Sequence, residues 1–222
     1  MKPQEQNSAQ VLVESLLSSS ADFYRRGWMW GTSGNLSAKI ASSPLTIAIT
    51  GSGASKGELT AADISIVPDD AVAKLDWAVV CRATPSAETV IHRTVYETIP
   101  QAVLVYHVHT VASTALSLAV VAQSRGPSYL EVQDVEMLKG WGVAWSGPSL
   151  SARIPILPNR ESMQVLADDL RRRLAGGVTV PVVLVAGHGM TVWGRTPAET
   201  RSRLEVAEFI CQVLWQQRLG RR

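Results

Sequence analysis

The sequence has few of the residues that build crosslinked or membrane-spanning proteins. Among 222 residues there are only two cysteines, Cys81 and Cys211, which lie far apart and outside any metal-binding motif. This scarcity argues against a disulfide framework or a cysteine-rich zinc site and favours a reducing compartment. The most apolar segment, 111–122, is too short and too rich in Ser and Thr to span a bilayer, and the first ten residues lack the apolar core of a signal peptide. We therefore expect a soluble, cytoplasmic protein without a membrane partner.

The sequence also lacks a large excess of either positive or negative charge. The chain has 21 basic and 19 acidic residues, a formal net charge of +2, and its basic residues are scattered apart from 171–173 and 218–222. This balance predicts no nucleic-acid partner. Hydrophobic residues make up 46% of the sequence, which is enough for a sizeable core, and there is no repeat or low-complexity linker. We expect one domain over residues 1–222.

Strand and helix patterns alternate along the chain. The composition predicts strands at 45–50, 64–67, 78–81, 103–109, 153–157, 181–187 and 190–194. Apolar periodicity predicts helices over 8–26, from Ser86 as N-cap to Thr98, from 110 to 120, from Arg160 with Asn159 as cap, and after the capping box Thr196–Glu199. Because some strands follow each other directly, we expect a mixed sheet covered by helices.

Two of the four histidines lie in the apolar run VLVYHVHTVAS. In a strand, side chains at i and i+2 project from one face, about 7 Å apart at their Cα atoms, so His107 and His109 can converge on one metal ion. His188, in VAGHGM at the end of another buried strand, is the third candidate ligand. Three imidazoles with an open coordination position describe a catalytic Zn²⁺ or similar divalent ion.

The alternative is that these are core histidines hydrogen-bonded to backbone. Burying three polar rings without a common task would be costly, which favours the metal site. His92 lies in the middle of a predicted helix among apolar residues. We assign His92 a structural or surface role.

The segments GTSGNLS, TGSG, PSAE, HVH and GHG, in this order, resemble the class II aldolase and adducin-like family over nearly the whole chain. The resemblance implies one Zn²⁺ per subunit on His107, His109 and His188. It also implies an α/β fold with three layers, α/β/α, around a central mixed, largely antiparallel sheet. A homotetramer with active sites near the subunit interfaces is expected on the same ground.

Within this family, the chain is most similar to the dehydratases that act on a methylthio-substituted ketose phosphate in methionine salvage. The stretches RRGWMWGTSGNLSAKI, TPSAETVIHRTVY, VQDVEMLKGW and GHGMTVWG carry this similarity. It implies a lyase, specifically a hydro-lyase, with Glu136 as the acid/base. Glu88 is the competing carboxylate, because the corresponding glutamate is the acid/base of the aldolases. Without a catalytic role, Glu88 would complement the dipole at a helix N-terminus.

The substrate phosphate has several candidate partners. Backbone N–H groups in glycine-rich turns and at helix starts bind anions without specialised side chains. The candidates are Asn35, Thr50, Gly51, Ser52, Lys56 and Ser86. The segment TGSGASKG is closer to the aldolase pattern than to that of the dehydratases.

Two other functions remain open on the sequence. One is an aldolase or epimerase that acts on another sugar phosphate through the same metal and phosphate sites. The other is a non-catalytic interaction module of the kind found in the adducin head domain.

Overall fold

The computed structural model describes residues 3–68, 83–124 and 126–220. The strands are β1 (Asn35–Ser42), β2 (Leu45–Thr50), β3 (Ile64–Val67), β4 (Leu104–Val108), β5 (Ser128–Gln133), β6 (Ser151–Leu157), β7 (Val182–Val185) and β8 (Gly189–Gly194). The helices are α1 (Pro3–Arg25), α2 (Thr89–Thr98), α3 (Val111–Val121), α4 (Met163–Ala175) and α5 (Pro197–Leu219). The predicted strand at 78–81, and Cys81 with it, lies outside the described residues.

The eight strands of the described residues form one sheet in the order β3-β2-β1-β4-β8-β7-β6-β5. The pair β6–β7 is parallel, and the other six pairs are antiparallel. Apolar residues of α1, α3 and α5 pack in the core on one face, and those of α2 and α4 pack in the core on the other. This arrangement confirms the predicted three-layer fold with a mixed, largely antiparallel sheet.

The centre of the sheet brings three chain segments to one end. Because β4 is antiparallel to both β1 and β8, the end of β4 lies beside the starts of its two neighbours. His107 is the Cα partner of Asn35 on one side and of Thr191 on the other. Residues that are distant in sequence therefore become neighbours at this end.

Two helix starts differ from the sequence prediction. The first helical residue of α2 is Thr89, because Ser86 closes a turn in which its hydroxyl accepts the Glu88 N–H. Helix α4 is capped by Ser162, whose side chain accepts the Val165 N–H, and not by Asn159.

Strands β1 and β5 are not among the strands predicted from the sequence. The other predicted strands inside the described ranges are confirmed, as are the five helices to within a few residues. The N-cap of α5 is also confirmed, since Thr196 accepts the Glu199 N–H at 3.1 Å. No helix in the described ranges is both long and apolar enough to cross a membrane.

Candidate functional site

Three histidine rings converge where β4 ends. His107 lies in β4 and His109 just after it, and their Nε2 atoms are 2.9 Å apart. His188 lies in the turn between β7 and β8, with its ring centroid 5.0 Å from that of His107 and 4.6 Å from that of His109. The interplanar angles are 74° to 85°, so the rings meet edge to face instead of stacking. This arrangement can direct one nitrogen of each ring toward a common centre.

Close backbone packing fixes the turn that carries His188. Gly187 has a φ of +65°, a conformation that residues with a Cβ rarely adopt. A Cβ on Gly189 would overlap the carbonyl oxygen of Val108 and would lie 3.0 Å from the His109 ring. The Gly-His-Gly segment thus lets the turn approach the end of β4 closely enough for the rings to meet.

Glu88 completes a group of four side chains. Its Oε1 lies 3.0 Å from Nε2 of His188 and 3.6 Å from Nε2 of His107. One ligand atom from each of Glu88, His107, His109 and His188 lies within 4.8 Å of all the others. Glu88 immediately precedes α2, so the start of this helix delivers the carboxylate to the histidines.

The electrostatics of the group favour neutral rings at His107 and His109 beside an ionised Glu88 carboxylate. Burial lowers the pKa of His107, and burial together with His107 and His188 lowers the pKa of His109 to about 3. Burial acts to raise the pKa of the Glu88 carboxyl, but His107 and the hydrogen bonds from His188 and Asn35 hold it well below its usual range. Neutral imidazoles and a carboxylate are the protonation states that bind a divalent cation.

Two further observations fit a metal ion at this place. Nδ1 of His107 lies 2.9 Å from the hydroxyl oxygen of Thr191. If Nδ1–H donates to that oxygen, Nε2 keeps its lone pair for a metal, as in many metal-bound histidines. In the described part of the chain, Nδ1 of His188 is buried without a hydrogen-bond partner. The donor set and the orphaned nitrogen are both consistent with a bound divalent ion.

The predicted phosphate residues lie in one region beside Glu88. Nδ2 of Asn35 donates to Glu88 Oε2 at 2.5 Å and to the Ser86 hydroxyl at 3.2 Å. The turn after β2 reaches the same region, because the Ser52 N–H donates to the Thr84 carbonyl at 3.0 Å. A ligand held there would lie next to the histidines.

Most polar groups of that turn are already hydrogen-bonded. The Gly51 N–H donates to the Asp63 carbonyl at 2.7 Å. The buried Thr50 hydroxyl accepts the Leu36 N–H at 3.0 Å. Of the predicted residues in the turn, Ser52 is the one with an exposed side chain, so its hydroxyl is available for a ligand.

Lys56 lies beneath the turn and is almost completely buried. Its Nζ donates to the carbonyl oxygens of Gly51 and Ala54, at 3.2 and 2.9 Å. Burial lowers the pKa of Lys56, and the nearby Asp63 opposes this effect. Lys56 therefore supports the turn and places a cationic group behind it.

Glu136 lies far from the four-residue group within one chain. It begins a short 3-10 helix, Glu136–Trp141, and its side chain is 73% exposed, with Lys139 Nζ 2.6 Å away. Trp141 donates to the Arg203 carbonyl near the start of α5. Helix α5 begins just after the end of β8, whereas the histidines lie at the start of β8. The six residues of β8 separate these two ends by about 20 Å. One chain thus does not bring Glu136 and the histidines together.

Of the two roles predicted for His92, structural or surface, its environment in the fold fits the structural one. It is fully buried, which corrects the suggestion of a surface role, and its Nε2 lies 2.5 Å from Oδ1 of Asn35. Burial, with a smaller effect of His107, lowers the pKa of His92 to about 3. The spacing of His92 could have indicated that it lies near the site, because His92 follows Glu88 by four residues and shares its helix face. Thr191, which contacts His107, is likewise not among the predicted site residues.

The chain is similar to known proteins over nearly its whole length. The sequence model of the Class II Aldolase and Adducin N-terminal domain matches residues 14–215. A methylthioribulose-1-phosphate dehydratase of Leptospira biflexa is 35% identical over 196 residues, covering 86% of this chain and 90% of the relative. Another protein of that name, from Microcystis aeruginosa, is 36% identical over 201 residues, covering 90% and 93%. The crystal structure of L-fuculose-1-phosphate aldolase from Thermus thermophilus has a TM-score of 0.69 at 22% identity, covering 96% of this chain and 98% of that chain, and shares the fold.

Proposed function

Because the chain belongs to the class II aldolase and adducin N-terminal domain family, we propose that it is a methylthioribulose-1-phosphate dehydratase, a lyase of methionine salvage. Relatives of that name are 35% and 36% identical over 86% and 90% of the chain. The structural observation that carries the proposal is the group of three histidines and Glu88 at one end of the sheet. Such a group suits chemistry beside a ketone, where negative charge develops on oxygen.

We propose that His107, His109 and His188 hold one zinc ion in each subunit. Three imidazole ligands with an open fourth position are typical of catalytic zinc. When bound, zinc supplies a Lewis acid that polarises a ketone oxygen. Burial lowers the pKa of His107, which favours its neutral form, and Thr191 orients the His107 ring. Glu88 adds a negative charge beside the three rings.

Dehydration of this substrate removes one proton and one hydroxyl group. The substrate has a phosphate on C1, a ketone at C2 and hydroxyls on C3 and C4. A base takes the C3 proton, which the adjacent ketone makes acidic, and an acid protonates the hydroxyl that leaves C4 as water. The enol that remains tautomerises to 5-methylthio-2,3-dioxopentyl phosphate. One carboxyl group can serve in both steps, because the proton gained from C3 is the one given to the leaving hydroxyl.

We assign this acid/base role to Glu136, with Glu88 in support. The low pKa of Glu88 makes it a weak base, since burial is outweighed by His107 and by the hydrogen bonds from His188 and Asn35. Glu136 is exposed at the opposite end of its own sheet. We therefore infer that Glu136 acts at the histidines of a neighbouring copy, within the homotetramer that the family resemblance implies.

We place the substrate phosphate between the turn after β2 and Ser86. The exposed Ser52 side chain and the cationic Lys56 behind the turn support this placement. The other predicted phosphate residues shape the region through their own hydrogen bonds; they are Asn35, Thr50 and Gly51.

We also propose that the protein acts in the cytoplasm on a small-molecule substrate, without nucleic-acid or membrane partners. Cys211 is a buried free thiol, as expected in a reducing compartment. The small net charge of +2 gives no general electrostatic attraction for nucleic acid.

The test is a product assay with the zinc-loaded protein and methylthioribulose 1-phosphate. We expect loss of water and formation of the diketone phosphate, and mass spectrometry detects this product. The variant Glu136→Gln removes the acid/base group, and we expect its kcat to fall by about 10²- to 10⁴-fold. Glu131→Gln is the matched control, because Glu131 is also exposed and paired with a basic residue, Arg153. It should retain full activity.

Other outcomes would replace the proposal. Release of a three-carbon fragment would identify an aldolase, and inversion of a hydroxyl-bearing carbon would identify an epimerase. A folded protein that binds no zinc and turns over none of these substrates would be a non-catalytic module. An active Glu136→Gln dehydratase would overturn the assignment of the acid/base.

A further inference from the structure

A continuous chain of hydrogen bonds between polar side chains runs from the core to Glu88. The Tyr96 hydroxyl and the Ser37 hydroxyl are 2.7 Å apart, and Ser37 Oγ is 2.7 Å from Nδ1 of His92. On the other side of the ring, Nε2 lies 2.5 Å from Oδ1 of Asn35, whose Nδ2 lies 2.5 Å from Glu88 Oε2. Five side chains from α2, β1 and the segment before α2 are thus joined by four hydrogen bonds.

The two ends of this hydrogen-bonded chain determine which group donates and which accepts in each of its hydrogen bonds. At one end, the ionised Glu88 accepts only, so the amino group of Asn35 must face it and the Asn35 carbonyl must face His92. That carbonyl requires a proton on Nε2 of His92. A neutral ring then accepts at Nδ1, and Ser37 donates to it.

The hydrogen bond at the other end, between Tyr96 and Ser37, has the donor and acceptor that this order requires. Because the Ser37 proton is used toward His92, the Ser37 oxygen must accept from Tyr96. Burial raises the pKa of Tyr96, so its hydroxyl keeps its proton and can donate. Burial also lowers the pKa of His92 to about 3, so the ring has a single N–H. The hydrogen-bonding states of all five groups are mutually consistent.

We propose that His92 is a positioning residue, which fixes the side-chain amide of Asn35 in one orientation and through it holds Glu88 beside the three histidines. The inference rests on the metal site and the function proposed above. Without the His92 N–H, the buried Asn35 carbonyl loses its donor, and the Asn35 side chain is no longer held from both sides. Glu88 would then lose its fixed donor and would move away from the histidines.

His92→Leu tests the proposal by removing both ring nitrogens at similar volume. His92→Gln is the conservative variant, because its amide N–H can occupy the place of Nε2–H and restore the bond to Asn35. Thr94→Val is the matched control on the same helix. Thr94 is buried, and its hydroxyl has no hydrogen-bond partner in the described part of the chain.

The first measurement is a Co²⁺ titration of the metal-free protein, with the visible spectrum of the bound ion as a report of its coordination. We expect His92→Leu to weaken binding about 10- to 100-fold, as for other groups that support a metal site without binding the ion, and to alter the spectrum. His92→Gln should recover most of the affinity, and Thr94→Val should match the wild type. Urea unfolding of each metal-free variant shows whether it is folded.

The second measurement is independent of the variants and of activity. Nitrogen-15 NMR of the metal-free wild-type protein reports which ring nitrogen carries the proton. We expect His92 to be neutral and protonated at Nε2. A ring protonated at Nδ1, or at both nitrogens, would overturn the proposal even if His92→Leu does not fold.

A folded His92→Leu with wild-type Co²⁺ affinity and spectrum would also overturn it, as would equal losses in His92→Leu and His92→Gln. In turnover, loss of positioning should lower kcat with little change in KM. If the wild-type protein is not a dehydratase, turnover will be absent throughout, whereas the Co²⁺ and NMR results still decide the role of His92. The two failures are therefore distinguishable.

Discussion

Thr191 and His107 are Cα partners on adjacent strands, and the Thr191 hydroxyl oxygen lies 2.9 Å from Nδ1 of the histidine. This contact leaves Nε2 of His107 free to face the other two rings. Thr191→Val keeps the shape of the side chain and removes the acceptor. We expect zinc affinity to fall about 10- to 100-fold, measured by competition with a chromophoric chelator. Thr46→Val, at a buried strand position whose hydroxyl bonds to Pro44, is the control, and an equal loss there would contradict the prediction.

Gly189 lets the β7–β8 turn lie against β4. A Cβ at this position would overlap the Val108 carbonyl and press on the His109 ring. We expect Gly189→Ala to destabilise the metal-free protein by about 1–3 kcal/mol and to weaken zinc binding, measured by urea unfolding and metal titration. Gly176→Ala is the control, because a Cβ there meets backbone atoms at ordinary distances of 3.5 and 3.6 Å. Similar losses in both variants would mean that close packing at Gly189 is unimportant.

The metal-free protein should lose stability as the solution is acidified. Burial, assisted by His107, lowers the pKa of His92 to about 3, so between this value and its ordinary value of about 6.5 the unfolded chain binds a proton that the folded chain does not. The contribution to stability is complete above about pH 6.5 and decreases toward pH 3, by up to about 1.4 kcal/mol per pH unit. Urea unfolding of wild type and His92→Gln at several pH values measures this, and the variant should show the shallower decline. Parallel declines would contradict the prediction.

Two inactive variants should restore activity when their subunits are mixed. His109→Ala lacks a ligand of the histidine group, and Glu136→Gln lacks the carboxyl at the opposite end of the sheet. If each active site takes these parts from different copies, a mixed oligomer contains some sites with neither defect. We expect partial recovery of dehydratase activity after the variants are unfolded and refolded together. Refolding each variant alone is the control, and no recovery in a mixed oligomer would place both parts in one chain.

Much of the fold could be predicted from the sequence, because β-branched runs identify buried strands such as β2, β4 and β7. Strand β1 could not, since NLSAKIAS has little intrinsic preference for a strand. Pairing with β2 on one side and β4 on the other imposes its conformation. Strand β5 does alternate buried and exposed residues, and its pattern could have been recognised.

Part of the candidate site could also be predicted. The two-residue spacing of His107 and His109 and the glycines around His188 indicated that three rings could meet. The contact of His92 with Asn35 joins residues 57 positions apart, and no local pattern contains it. The location of Glu136 depends on how the chain turns after β5, where Asp134 adopts a φ of 55°. Sequence periodicity does not determine such a turn.

The position of His188 in the β7–β8 turn, next to His109, has a mechanical consequence. Between His109 and His188 the chain forms three of the eight strands, β5, β6 and β7, together with α3 and α4. An ion bound to both histidines would close this whole segment into a loop, and closing a long loop restricts the unfolded chain strongly. A force pulling on the two ends of the protein would then bypass the looped segment, about a third of the chain, until a metal–nitrogen bond breaks. Resistance to stretching would depend on the supply of metal.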